Sequence, residues 1–250
     1  MAARLKVIVA YDGAPFAGWQ SQANRNGVQD HLESVFAQIC GERARVHGAG
    51  RTDAGVHALA QSAHVDLPDR RHDAGKWMSA LNGVLPPTIR ILRARYVAPS
   101  FHARFCAKGK LYRYRIWNGE VLPPLEAGRV WHVRGALDSE AMQTAASQLL
   151  GRHDFRSFAA NRGSVVKDTA RTIVRARIRR SGGPLISIEI EADGFLYKMV
   201  RLIAGTLVRA GLGELAPGEI EDRMANPQRS VSGPRNAAPA CGLFLVRVRY

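Results

Sequence analysis

Apolar positions along the chain switch between a period of two and a period close to four, and each switch predicts an element. Residues 5–11 form a short apolar strand. Val28, Leu32, Val35, Phe36 and Ile39 recur at helical spacing, and Gly41 supplies a C-terminal cap. Residues 44–47 and 57–66 read as strands on either side of a glycine-rich loop. Residues 74–85 form a helix closed by Pro86-Pro87, and residues 89–96 form a further strand. The resulting order, β-α-β-β-α-β, is the ferredoxin-like arrangement.

The second half repeats that order of elements without repeating the sequence. Residues 108–117 alternate, with Lys108, Lys110, Tyr112 and Tyr114 on one face and Leu111 and Arg113 on the other. Asp138 or Ser139 caps a helix with apolar positions Met142, Ala145, Ala146, Leu149 and Leu150, ended by Gly151. Residues 169–180 form a strand and Ser181-Gly182-Gly183-Pro184 a turn. Ile186, Ile188 and Ile190 then alternate with Ser187, Glu189 and Glu191, the pattern of a half-buried strand. Residues 197–210 form an amphipathic helix, residues 218–224 a short one and residues 244–250 a closing strand. The expected fold is α+β, with two tandem ferredoxin-like halves, residues 1–105 and 106–250, divided within residues 99–105. Mainly antiparallel sheets joined edge to edge would stack their helices on one face and leave a central cleft for a ligand.

Composition narrows the partner. The chain has 250 residues, of which 46% are hydrophobic and 23% charged, the balance of a folded globular protein. No apolar run nears the roughly 18 residues that cross a bilayer. Residues 1–7 enter a strand pattern with no secretory apolar region, so a cytoplasmic location without membrane association is expected. Cys40, Cys106 and Cys241 lie far apart in no metal-ligand spacing, so they read as thiols in a reducing compartment and no metal is expected. Lys and Arg number 36 against 21 Asp and Glu, a net charge of +15, and arginine dominates. Guanidinium forks suit phosphate, so RNA, DNA and an anionic membrane surface all qualify as partners. A GC-rich genome, which enriches Arg and Ala, accounts for part of the bias.

The most informative stretch is Gly48-Ala49-Gly50-Arg51-Thr52-Asp53-Ala54-Gly55-Val56-His57, which sets one carboxylate between glycines in a basic chain. It is no dinucleotide fingerprint, because Asp53 stands where the third glycine belongs and a strand follows instead of a helix. It is no Walker loop, because no Gly-Lys-Ser/Thr follows. The His-x-Glu with Pro-Cys-x-x-Cys of zinc base deaminases is absent as well. Taken alone, Asp53 also suits an Asx turn.

Arg51-Thr52-Asp53-Ala54-Gly55-Val56-His57 resembles the signature of the tRNA pseudouridine synthase A family. The resemblance extends along the chain. Tyr11-Asp12-Gly13, Phe16-Ala17-Gly18-Trp19-Gln20 and Val28-Gln29 resemble the family's N-terminal motif. Phe101-His102-Ala103-Arg104-Phe105 and Lys110-Leu111-Tyr112-Arg113-Tyr114 resemble its middle one. Gly151-Arg152-His153-Asp154-Phe155, Met199-Val200-Arg201 and Gly242-Leu243 resemble the later ones, in the same order. Ala238-Pro239-Ala240-Cys241 departs slightly, since the family more often has a second proline there.

The resemblance implies an isomerase that turns uridine into pseudouridine at positions 38, 39 and 40 of the tRNA anticodon stem-loop, working as a homodimer. It implies that Asp53 is the catalytic carboxylate and that Arg201 pairs with it across the cleft. It further implies that Tyr112 stacks on the base and handles the proton at C5, and Arg51 is placed to hold the flipped nucleotide. The reaction breaks N1–C1′, turns the base and rejoins it through C5. No atom or electron is lost, so no cofactor, nucleotide or redox, is expected. A carboxylate can serve as nucleophile on sugar or base, or as the base that takes a sugar proton, and the residues do not choose. Lys198 is the alternative cation to Arg201, while His57 and His64 read as structural. Arg175, Arg177 and Arg179 alternate onto one side of their strand, as phosphate contacts require, within a run that includes Arg171 and Arg180. Residues 161–167, with Arg162 and Lys167, read as an RNA-clasping insertion or a plain connection. The rival readings are a synthase of this family with another RNA target and a non-catalytic RNA-binding protein. The second would show RNP-type paired aromatics, which the sequence lacks.

Overall fold

The structure, a computed structural model, describes residues 3–68, 72–160, 168–216, 218–226 and 237–250. The chain forms two compact units, Met1–Lys108 with Phe244–Tyr250, and Gly109–Leu243. The fold is mixed α+β with mainly antiparallel strand pairing, as the periodicity predicts.

In the first unit the elements follow as β1 (Ala3–Tyr11), α1 (Val28–Cys40), β2 (Val46–Gly48), β3 (His57–Leu67), α2 (Ala74–Val84) and β4 (Ile89–Val97). β1 lies between β4 and β3 and is antiparallel to both. Leu5, Val7 and Val9 alternate inward, fully buried, each stabilising the fold by about 1.5–3 kcal/mol through burial. Leu32 and Phe36 of α1 and Trp77 and Leu81 of α2 complete this core, with the Phe36 and Trp77 rings 5.8 Å apart. The helix ends obey their local chemistry. Gly41 caps α1 in the left-handed conformation, and the Asp73 side chain accepts the Lys76 N–H at the start of α2.

β3 carries two partners on its other edge. β2 pairs with Ala63–Val65 in antiparallel register, and the closing strand β10 (Leu243–Arg249) pairs in parallel with His57 and Ala58. That parallel pairing draws the C-terminus into the first unit, although periodicity alone assigns it to the second half. Further contacts hold it there: Tyr250 donates to Ala103 O at 2.8 Å, and the Lys6 ammonium lies 3.5 Å from the Tyr250 ring centre. The division between units falls after Lys108, just beyond residues 99–105.

The second unit contains β5 (Gly109–Trp117), β6 (Trp131–His132), α3 (Ser139–Ser147), β7 (Gly151–Asp154), β8 (Ala170–Arg180), β9 (Leu185–Ala192), α4 (Met199–Gly211) and α5 (Glu219–Ala225). The strand order is β5-β9-β8-β7, all antiparallel, with β6 parallel to the end of β5. Three details differ from the periodicity. α3 stops at Ser147, and Gly151, at φ +100°, opens β7 where a helix end is expected. α4 is buried almost all round, because Leu202, Gly205 and Thr206 meet protein on the side opposite the apolar stripe of Ile203, Ala204 and Leu207, where an amphipathic pattern implies water. β9 is buried on both faces, since Glu189 and Glu191 are only 5% and 6% exposed. Glu189 is covered by Arg113 of β5 at 2.8 Å and Arg175 of β8 at 3.6 Å. Burial pushes the Glu189 carboxyl up, but the Arg113 hydrogen bond and charge, with Arg179 and Arg175, hold it below its ordinary range.

His64 and His57 have structural tasks. His64, on β3, stacks on His47 at 5.0 Å, meets His102 at 4.7 Å and accepts the Ala103 N–H at 3.1 Å. Burial, with the charge of Arg4 and the two neighbouring imidazoles, pushes its pKa down to about 4. The unfolded imidazole titrates near 6.5, so between these values the unfolded chain binds more protons and stability falls as pH drops. Acidification from pH 7 to pH 4 should cost about 2–3 kcal/mol through this group. Denaturant titrations across that range should show the loss, and His64→Gln should flatten it; an unchanged pH slope in the variant contradicts the assignment.

Candidate active site

Residues 49–56 form the loop between β2 and β3, at the point where the edge of β3 passes from β2 to β10. The loop is anchored at Ala49, Gly50 and Thr52 and closed by a turn at Asp53. Ala49 N–H donates to Ser62 O at 2.8 Å, Gln61 Nε2 donates to Gly50 O at 2.9 Å, and Trp19 N–H donates to Thr52 O at 3.1 Å. Tyr11 OH and Thr52 Oγ1 share a buried hydrogen bond of 2.8 Å, and burial pushes the Tyr11 phenol well above its ordinary range. Val56 N–H closes the turn on Asp53 O at 3.1 Å. At the far end Gly13 N–H donates to His57 Nδ1 at 3.0 Å, and the His57 ring stacks on Phe244 at 4.6 Å.

The segment after β1 is shaped to receive this loop. A Cβ on Gly13 would sit 2.1 Å from Val56 O, and one on Gly18 would sit 2.5 Å from Thr52 O. Gly18 also has φ +100°, a conformation that side-chain-bearing residues rarely adopt. Backbone therefore packs on backbone around Asp53, with no side chain between. Asp53 is half-buried and Arg51 exposed, its Nε–H donating to Gln20 Oε1 at 2.9 Å. A half-buried carboxylate on a loop fixed from several sides meets the demand that a reacting group be held in place before substrate arrives.

Tyr112 and Arg201 belong to the second unit. Tyr112 is buried on β5, in register with Ile190, and its ring meets Phe195 edge-on at 5.0 Å. Arg201 is half-buried in the first turn of α4, which packs on β5. It forms a reciprocal pair with Ala238: Arg201 Nε donates to Ala238 O at 2.7 Å, and Ala238 N–H returns to Arg201 O at 3.0 Å. The next residue, Pro239, accepts the Tyr114 hydroxyl at 2.7 Å, and Gly242 lies against the same ring, where a Cβ would be 2.7 Å away. Burial pushes Tyr114 and Cys241 up, and the Arg201 charge opposes both shifts. Lys198 precedes α4 with φ +58°, an uncommon value for a residue with a side chain, and its ammonium lies 5.3 Å from the Tyr197 ring centre.

Arg175, Arg177 and Arg179 are exposed on one side of β8, facing Glu191, Glu189 and Ser187 in register. Arg162 and Lys167 lie outside the described residues. Among the described residues no three His, Cys, Asp or Glu side chains form a group that could hold a metal, and no helix is long and apolar enough to cross a membrane. Sequence reasoning gave no role to Gln29 or Glu33, which the structure links to Arg51 through Gln20. The available signal was a polar residue, Gln29, on the apolar stripe of Leu32 and Phe36.

Residues 7–106 and 145–250 match the family model described as tRNA pseudouridine synthase. A relative from Akkermansia muciniphila, a tRNA pseudouridine synthase A, is 44% identical over 99% of this chain and 95% of its own. Proteins of the same name from Moorella thermoacetica and Rhodospirillum centenum are 45% and 44% identical, covering 98% and 99% of this chain and 99% of their own. A chain of the solved Cbf5-Nop10-Gar1 complex matches at a TM-score of 0.37 and 13% identity, over 82% of this chain and 44% of that one. The chain belongs to the tRNA pseudouridine synthase A family and is an isomerase that converts uridine to pseudouridine.

Gly18→Ala should displace the Asp53 loop. Forcing a side chain into that conformation costs about 1–3 kcal/mol, so a lower Tm and a reduced turnover per folded molecule are expected. Thermal melts with tritium release from [5-³H]uridine tRNA check both, and a variant with native turnover contradicts the cradle.

Proposed function

We propose that this chain isomerises uridines 38, 39 and 40 of the tRNA anticodon stem-loop, with Asp53 as the catalytic carboxylate. Arg51 contacts the RNA beside the target, Tyr112 is the surface on which the extruded base stacks, and Arg201 is the cation that faces Asp53. The two units act as ferredoxin-like halves around one catalytic cleft, in a cytoplasmic homodimer. The observation that carries this reading is the backbone-packed loop around Asp53, a costly construction for a mere turn. The β-α-β-β-α-β order of the first unit supports the architecture. The tie between Arg201 and Ala238 supports a fixed role for that guanidinium.

The chemistry follows from the substrate. Asp53 acts as nucleophile on sugar or base, or removes a sugar proton, and in either case N1–C1′ breaks while the base stays bound. The base turns, C5 bonds to C1′, and the C5 proton leaves last, with Tyr112 as the neighbouring phenol. Extruding a base costs a few kcal/mol, roughly, which stacking on Tyr112 and a phosphate contact from Arg51 offset. Serving three adjacent nucleotides calls for recognition of the arm's shape more than of base edges. Arg175, Arg177 and Arg179 suit contacts to the phosphate backbone.

Mapping pseudouridine by chemical adduct and primer stops after incubation with tRNA should mark positions 38–40, and marks elsewhere would redirect the assignment. Asp53→Asn is nearly isosteric, so tRNA binding should survive while turnover falls by roughly 10³-fold or more. Retained turnover in a tritium-release assay removes Asp53 from the mechanism. Binding should also weaken steeply with salt, each neutralised phosphate adding about −0.9 to the log–log slope for duplex and about −0.7 for single strands. A flat response contradicts a phosphate-tracking surface.

A further inference from the structure

Four polar side chains of the first unit connect the Asp53 loop to the middle of α1. Arg51 Nε–H donates to Gln20 Oε1 at 2.9 Å, Gln20 Nε2 donates to Gln29 Oε1 at 2.8 Å, and Gln29 Nε2 donates to Glu33 Oε1 at 2.7 Å. The chain of bonds is braced by backbone, since Ser21 N–H donates to Gln29 Oε1 at 3.2 Å and Val46 N–H donates to Glu33 Oε1 at 2.9 Å.

Its two ends set its direction. A guanidinium only donates and an ionised carboxylate only accepts, so each amide between them has one orientation that satisfies both neighbours. Gln29 is 5% exposed and sits on the apolar side of α1 in the row of Leu32 and Phe36. An amide at such a position costs desolvation unless it is hydrogen-bonded, and leucine would pack there without that cost. The amide therefore contributes orientation. Bonds in a series that ends on a carboxylate also polarise one another and stiffen the whole.

We infer that Gln20, Gln29 and Glu33 are positioning residues for Arg51. They hold the Nε side of its guanidinium against the protein and leave the terminal nitrogens to form a fork on a phosphate beside the target nucleotide. Gln20, Gln29 and Glu33 also line a groove along α1 that carries Arg25, Arg43 and Arg45 together with Asp30. The inference rests on the proposed role of Arg51 as a substrate contact.

A double-mutant cycle on substrate tRNA affinity tests it, using Gln20→Ala, Arg51→Ala and the pair, because affinity stays measurable when turnover is low. Gln20→Ala removes the middle link but leaves the bracing bonds of Gln29 and Glu33 to backbone in place. It should weaken binding about five- to tenfold with Tm nearly unchanged, and should have no further effect once Arg51 is alanine. Gln29→Leu, checked by thermal melt for folding, should behave in the same way. If Arg51→Ala weakens binding while Gln20→Ala does nothing, or if the two effects multiply, the inference fails and the role of Arg51 stands. If Arg51→Ala leaves binding unchanged, both fail.

Discussion

The close approach of two backbones, residues 13–18 against residues 52–56, is the constraint on which the candidate site depends. Glycine at positions 13 and 18 lets peptide groups touch, and the hydrogen bond from Trp19 N–H to Thr52 O fixes their register. A hydrogen bond from Gln61, one shared with Tyr11 and one accepted by Ser62 O then take up much of the remaining freedom of the loop. Asp53 is carried by a loop whose backbone polar groups are tied to β3 and to the segment after β1. The edge of β3 away from β1 pairs with β10 at residues 57–58 and with β2 at residues 63–65, and Gln61 and Ser62 between them bond to the loop.

Charge is organised differently in the two units. In the first, the arginine beside the acid is held through neutral amides to a carboxylate on a helix, which directs a cation without neutralising it at close range. In the second, Glu189 is buried between strands and drawn into ion pairs with Arg113 and Arg175, so part of the positive charge is spent on structure. A net charge of +15 thus overstates the cationic surface open to RNA. Arg177 and Arg179 are also exposed on that strand, and the charge of Arg179 helps lower the Glu189 pKa.

Much of the fold was legible in the sequence. Leu5, Val7 and Val9 alternate inward as the period of two requires, and Gly41 ends α1 where a left-handed cap belongs. What escaped was set by partners distant in sequence. Residues 244–250 read correctly as a strand, but only the parallel bond to His57 and Ala58 assigns them to the first unit. The isoleucines of β9 read as one buried face, whereas the burial of Glu189 depends on arginines from two other strands. Asp53, Arg51, Tyr112 and Arg201 stood out through motif resemblance. Gln20 and Gln29 belonged to quoted motifs, yet their bond to each other and to Glu33 arises from a loop folding back on a helix, which no periodicity encodes.

The central claim is that the carboxylate at the tip of this loop is the group that reacts. A crystal structure of the Asp53→Asn protein with substrate tRNA tests it most directly. The target uridine should be extruded, with its C1′ or its base carbons within about 3.5 Å of the residue 53 side chain, the distance of a group poised to react. A uridine stacked in its helix, or extruded onto a surface away from residue 53, contradicts it.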